Sequence, residues 1–492
     1  MKEILSTKSK RQLELMELLI DNEWVSFNIA SIQLSAPVKT IKSDSMELNT
    51  IFAPTSIETS KKYGIRLTVD PTFSKATIYQ KFLVNSIEFQ LIEKIFLHNF
   101  STINDLADDL YTSISTIKRL VSRINQTLQL SGFVINLKKM QLVGDAHSIC
   151  NFMEYYFCEK YSVSERLLTP IQLNVLDKII MHISNQVSTY QSINDIGFSS
   201  LNQIRFSVFT AINLLNNNDE NVISIDKNYT VPFGDKSTIY YEFYRQFGFA
   251  LSSSNIDKLF SLYYNENFVA SYDTLKKLIT KNRHHYLKYE KIIILIQNLE
   301  KRIDSQCFSF EKVVLDLYNI EFQVTGRTHI LYDRNKEFYN NLKITYGNFP
   351  VEITDFLKAI FYNSPNKDCL IYEAIFILFS KYPEFLLCLE QATPTMKACL
   401  LLNTGSSYMT MISKQIAYYL KGRFSCTPLN ITSLDELEKS INTYDCVITN
   451  IPDIQLPNHP IVVIPLVPDA KSFDKLMFVY EKHFKLSQDK LS

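Results

Sequence analysis

The chain has 492 residues, and its 51 basic and 51 acidic side chains cancel. An apolar fraction of 46% supplies several hydrophobic cores, which excludes disorder as the main state, and the length suggests about three domains. No apolar run reaches the length of a membrane span and the first ten residues hold no signal-peptide core, so a cytoplasmic protein with no membrane partner is expected.

Composition narrows the chemistry further. Only 10 glycines are present, and phosphate-cradling loops need glycine, which argues against a nucleotide-binding enzyme. The eight cysteines are scattered without a C-x-x-C pair and read as reduced, mostly buried thiols. Histidines and cysteines never recur at ligand spacing, so neither a metal nor a cofactor is expected.

Residues 1–70 open with Leu15, Leu18 and Leu19 on one helical face. Trp24-Val25-Ser26 begins a second helix that ends near Leu34, and Lys39-Thr40-Ile41-Lys42-Ser43-Asp44 begins a third. The run from Lys61 to Leu67 fits a β-hairpin wing. Residues 71–152 repeat this plan more clearly. Ile87, Leu91, Ile92, Ile95 and Phe96 line one helix, and Ser101 is placed to cap the next, with Ile103, Leu106, Ala107, Leu110 and Tyr111 recurring on its inner face. After a short turn, Ile117, Leu120, Val121, Ile124 and Leu128 form the inner face of a third helix. Phe133–Leu137 and Met140–Val143 then flank Lys138-Lys139, a hairpin with a basic tip.

Helix, helix, turn, helix and hairpin make a winged helix-turn-helix, a fold that sets one helix into the DNA major groove. Between Asp109 and Asp145 there is no acidic residue but five basic ones, so this stretch of a neutral protein has a local positive face. The expected DNA contacts are Lys118, Arg119, Ser122 and Arg123 on the third helix and Lys138 and Lys139 on the wing. Lys39-Thr40-Ile41-Lys42 lies in register with Ser115-Thr116-Ile117-Lys118, which points to two tandem units. Lys39, Thr40, Lys42 and Ser43 are the matching contacts in the first unit. Pro37 and Asp44 make it the weaker reader.

From residue 155 the pattern changes to long amphipathic helices, in blocks at 155–280 and 283–392. Residues 395–492 then alternate short apolar runs with helices: Ala398–Leu402, Tyr444–Thr449 and Pro460–Leu466 read as strands of a small α/β domain.

Two helix-turn-helix units, two helical blocks and an α/β tail, in that order, resemble the Mga/AtxA family of bacterial virulence transcription regulators. The resemblance implies that the chain is a DNA-binding regulator and not an enzyme, with double-stranded DNA as partner. It implies phosphotransferase-system regulation domains (PRDs) in the two helical blocks and an enzyme-IIB-like tail. In related families PRDs accept phosphate on histidine from phosphocarrier proteins, and the added charge shifts dimer packing. The candidates are His329, in an exposed polar turn, His182, in an apolar helix, and His284, in an interdomain loop. A working enzyme IIB of this type ends its first strand on a phosphorylated cysteine; here that position is Leu402, so the tail reads as a degenerate copy kept for assembly into a homodimer or higher oligomer. Two rival functions remain: a phosphocarrier of the phosphotransferase system, which lacks its nucleophile, and an RNA-binding antiterminator, which calls for a β-rich N-terminus.

Overall fold

The computed structural model describes residues 1–98, 100–186, 198–217, 237–248, 251, 255–256, 259, 268–303, 306–307, 309–324, 326–346, 349–364, 366–382, 385, 394–429, 431, 436, 440–452, 454, 456 and 459–488. These residues are mostly helical, with two small hairpins near the N-terminus and a parallel sheet near the C-terminus. They fall into two compact units. One comprises Met1–Tyr286, Leu315–Arg334 and Asn363–Leu370; the other comprises Leu287–Val314, Asn335–Tyr362 and Ile371–Ser492.

The first unit opens with α1 (Thr7–Ile20), α2 (Phe27–Gln33) and α3 (Val38–Phe52), followed by the hairpin β1 (Ser56–Ser60) and β2 (Gly64–Thr68). The Ser6 and Ser26 hydroxyls cap α1 and α2 by accepting the N–H of Ser9 and Ile29. Val25 joins the hairpin through a backbone bridge to Ile65. Gly64 is required there, because its φ is +100° and a Cβ would meet the Val25 carbonyl at 2.1 Å.

Next come α4 (Lys75–Asn85), α5 (Ile87–Leu97), α6 (Ile103–Asp109) and α7 (Ile114–Leu128), then the hairpin β3 (Phe133–Asn136) and β4 (Gln141–Gly144). The cap of α6 is Thr102 and not Ser101. Its hydroxyl accepts the Asp105 N–H, and the Asp105 carboxylate accepts the Thr102 N–H at 2.9 Å, a reciprocal box that Ser101 has no acid to complete. Ser113 caps α7.

Helix α4 was not among the elements expected from the sequence. It ties the two winged modules together: Tyr79 donates to Glu17 of α1 at 2.6 Å, and Gln80 donates to the Lys160 carbonyl at the end of α8 (Ala146–Tyr161) at 2.8 Å. A single apolar core runs from Ile4 through both modules into α8, α9 (Pro170–Gln186) and α10 (Phe198–Asn217). Buried Phe89, Tyr156, Phe157 and Phe206 are its large members. Within it Glu93 accepts bonds from Tyr156, Lys160 and Tyr161, so the buried carboxylate is fully partnered.

The helical stretch continues with α11 (Ser237–Phe247), α12 (Tyr272–Lys281), α13 (Arg283–Ile303), α14 (Phe310–Gln323), α15 (Arg334–Tyr346), α16 (Phe349–Ile360) and α17 (Lys367–Lys381). The polar cluster Asn216-Asn217-Asn218-Asp219 and the run Pro232 to Lys236 read from the sequence as breaks between these helices; α10 ends at Asn217 within the first, and residues 218–219 and 232–236 lie outside the described residues.

In the C-terminal region β5 (Met396–Leu401), β6 (Phe424–Pro428), β7 (Cys446–Thr449) and β8 (Ile461–Val463) form one parallel sheet in the order β6-β5-β7-β8. Strand β6 was not among the expected strands. It alternates buried and exposed residues and ends on a proline, as an edge strand permits. Helices α18 (Ser406–Tyr419) and α19 (Ala470–Gln488) cover one face through Met409, Ile412, Ile416, Leu476 and Tyr480, while Cys399, Leu401 and Val447 face the other.

Candidate nucleic-acid interface

The helix boundaries of the two winged modules correspond under a constant shift of 76 positions, which takes α2 (27–33) onto α6 (103–109) and α3 (38–52) onto α7 (114–128). The caps Ser26 and Thr102 correspond, as do the left-handed turn residues Ser35 and Tyr111, with φ of 47° and 50°. Tyr111 is therefore not on the inner face of α6 as its spacing suggested: the helix ends at Asp109, the left-handed turn swings the ring outward, and it is 97% exposed. The register read from Thr40-Ile41-Lys42 and Thr116-Ile117-Lys118 therefore holds along both pairs of helices.

One asparagine per module fixes the third helix to the wing. Asn125 on α7 donates to the Ile135 carbonyl at 3.0 Å and accepts the Ile135 N–H at 2.8 Å. Its counterpart Asn49 on α3 closes the same pair of bonds with Ile57, at 3.2 and 2.5 Å. Ile41 and Ile117, eight positions before the asparagines, are fully buried. Helix rotation is thus set twice, by the buried isoleucine and by the asparagine, and the opposite face is left outward.

On α7 that outward face carries Lys118, Arg119 and Ser122, all exposed. Among the described residues neither Lys118 nor Arg119 forms an ion pair. The wing tip holds Lys138 and Lys139 in the open, with both backbone N–H groups donating to Asn136 at 2.9 and 3.1 Å. Arg123 departs from the expected outward position. Its guanidinium donates to Glu88 on α5, whose side chain is only 3% exposed and also accepts from Ser86. Arg123 sits on the edge of the apolar stripe and its length lets it reach back, so it holds α5 against α7.

In the first module Lys39, Lys42 and Ser43 are exposed on α3 and Thr40 is half-buried. The Lys42 ammonium lies 5.0 Å from the Phe27 ring centroid. Asp44 does not weaken this face as expected. It is 2% exposed and turned inward, paired with Arg11 at 2.7 Å and reached by Gln12. Glu47 is neutralised by Lys8 at 2.6 Å, and bonds from Lys8 and Gln12 hold its carboxyl below the usual range. Arg66 on the wing stacks over Trp24 and pairs with Glu58.

The three candidate histidines are not brought together. His182 lies on α9, with its side chain outside the described residues. His284 is exposed in the first turn of α13 and not in a loop; helix-starting Asn282 accepts its N–H at 2.9 Å. His329 is less open than an exposed turn implies. It is 29% exposed, with Asp333 3.6 Å from Nδ1, and the Glu159 carboxylate pins the next three residues by accepting the N–H of Ile330, Leu331 and Tyr332. Burial pushes that carboxyl up to about 7.

In the tail, buried Leu402 stands directly after β5 and Cys399 is fully buried, its thiol pushed up to about 11 by burial. Cys426 and Cys446 are pushed up to about 12, again by burial first. These thiols stay protonated near neutral pH, which removes them as nucleophiles. No group of His, Cys, Asp and Glu suited to a metal occurs among the described residues, and no helix there is long and apolar enough to cross a membrane.

Comparison with known proteins places two family profiles on the two modules. The profile of the Mga helix-turn-helix domain matches residues 71–157, and that of the M protein trans-acting positive regulator (MGA) HTH domain matches residues 6–63. A protein of Streptococcus pneumoniae serotype 4 described as a trans-acting regulator is 21% identical over 472 residues, covering 92% of this chain and 94% of the relative. The capsule synthesis positive regulator AcpA of Bacillus anthracis is 25% identical over 187 residues, covering 38% of this chain and 39% of its own.

The Arg123–Glu88 pair separates folding from surface charge. Arg123→Ala leaves a buried carboxylate without its cation and should destabilise the second module by about 1–3 kcal/mol. Lys118→Ala with Arg119→Ala should leave stability within about 0.5 kcal/mol of the parent. Urea unfolding of the full chain, followed by far-UV circular dichroism, measures both.

Proposed function

The chain belongs to the Mga/AtxA family of transcription regulators, and from that premise we propose that it regulates transcription by docking α7 and α3 in the major groove of duplex DNA. The observation that carries this reading is the outward face of α7, where Lys118 and Arg119 stand exposed and unpaired beside Ser122 on a helix fixed by Asn125. Such a face meets phosphates and guanine edges, while Lys138 and Lys139 on the wing meet the flanking backbone. Lys39, Thr40, Lys42 and Ser43 are the corresponding contacts of the first module, and the burial of Asp44 favours their use. Arg123 supports the second module from behind and makes no base contact.

The rest of the chain is assigned to control and assembly. The blocks at 155–280 and 283–392 act as PRD-like sensor domains and residues 395–492 as an enzyme-IIB-like domain, in a cytoplasmic homodimer or higher oligomer. The inert thiols and Leu402 favour assembly over phosphocarrier chemistry in the tail. A helical N-terminus with two recognition helices favours DNA over an RNA-binding antiterminator role.

Each part has its own test. Lys118→Ala with Arg119→Ala should lower affinity for a duplex selected from a randomised pool by about tenfold to a hundredfold, and the salt slope by about two. Unchanged affinity and slope would refute α7 as the reader. Removing residues after Thr393 should raise the dissociation constant of the oligomer in analytical ultracentrifugation, and an unchanged constant would reject a role for the tail. If phosphocarrier proteins label the chain, His329→Ala should abolish the acid-labile label and His182→Ala or His284→Ala should not; a label surviving in His329→Ala would move the site.

A further inference from the structure

We propose that Met46 makes the first module a reader of thymine, by packing its thioether against the 5-methyl group in the major groove. The inference rests on the docking of α3 proposed above and adds what that helix recognises. Along α3, Ile41, Asp44, Ser45, Leu48 and Phe52 are buried. Lys39, Lys42, Ser43, Met46, Glu47 and Thr50 are exposed and recur at helical spacing on the opposite face.

Met46 is 71% exposed in the middle of this face, one turn beyond Lys42. It is a large apolar side chain left in water on an otherwise polar stripe, so the fold of the chain gives no use for it. Its counterpart under the 76-residue shift is Ser122, so the module plan does not require an apolar residue there. Thymine is the base whose major-groove edge presents a methyl group, and an apolar side chain set one turn beyond a groove-facing lysine meets that group favourably. Methionine suits the task, because an unbranched thioether adapts to the contour it meets. The two acids of α3 each have a cation: Asp44 is buried on Arg11, and Glu47, exposed beside Met46, is paired with Lys8.

Replacing thymidine by deoxyuridine removes the methyl group and leaves every hydrogen-bonding edge intact. The full-length protein is used with a duplex recovered from a randomised pool and with the same duplex carrying deoxyuridine at each thymidine in turn. The parent protein should lose about three- to tenfold in affinity at one or two positions. Met46→Ser should bind both duplexes equally, near the parent's affinity for the deoxyuridine form. Met46→Leu and Ser122→Ala should keep the discrimination. Equal binding of both duplexes by the parent overturns the proposal, as does a selected site with no thymine under the first module or discrimination that survives in Met46→Ser. The last result would assign the methyl contact to another residue. Lys39→Ala with Lys42→Ala distinguishes the two layers: if that pair weakens binding while deoxyuridine does not, docking of α3 stands and only the methyl contact fails.

Discussion

Two asparagine side chains set the geometry on which the outward faces of α3 and α7 depend. Asn49 and Asn125 each satisfy the N–H and the carbonyl of one isoleucine in the first strand of the adjacent wing. Both groups belong to a short edge strand that otherwise leaves them to solvent. Because the amide pairs with both at once, helix and wing are latched as one rigid element. The same bonds fix the rotation of the helix, so the lysines four positions along from Val38 and Ile114 face outward in both modules. Burial of Ile41 and Ile117 sets the same rotation through packing, and the two constraints agree.

Much of this was legible in the sequence. The inner face of α7 has a clean helical period, Ser113 is a good cap, and the acid-free stretch marks the positive surface. The matching registers around Ile41 and Ile117 announced the repeat. Other features depend on partners distant in sequence and left no local trace. Arg123 and Asp44 each sit where periodicity alone places them at the edge of the outward face. Only the spatial neighbours Glu88 and Arg11 turn them inward. Helix α4 has a weak apolar period, since its role is to contact α1 on one side and α8 on the other. Strand β6 carries Ser, Thr and Pro and lies at a sheet edge, so it lacks the apolar run that marks β5 and β7.

The modules differ in how they treat charge. The second keeps Lys118 and Arg119 free of carboxylates; the first contains acids on α3 but neutralises each within the module, Asp44 with Arg11 and Glu47 with Lys8. A buried ion pair gives little net stability, and its worth here is that it clears a negative charge from the outer face. The C-terminal sheet shows the converse economy of function. Burial pushes the thiols of Cys399 and Cys446 well above the usual range, so the parallel sheet and its helices offer them no thiolate-favouring surroundings.

If both outward faces enter the same duplex, photo-cross-linking shows it most directly. A photoreactive amino acid is placed at Ser43 on α3 and, in a separate protein, at Ser122 on α7, and each is irradiated with the selected duplex. The account predicts base cross-links from both positions, at two distinct places on the DNA. A base cross-link missing from either position would contradict it.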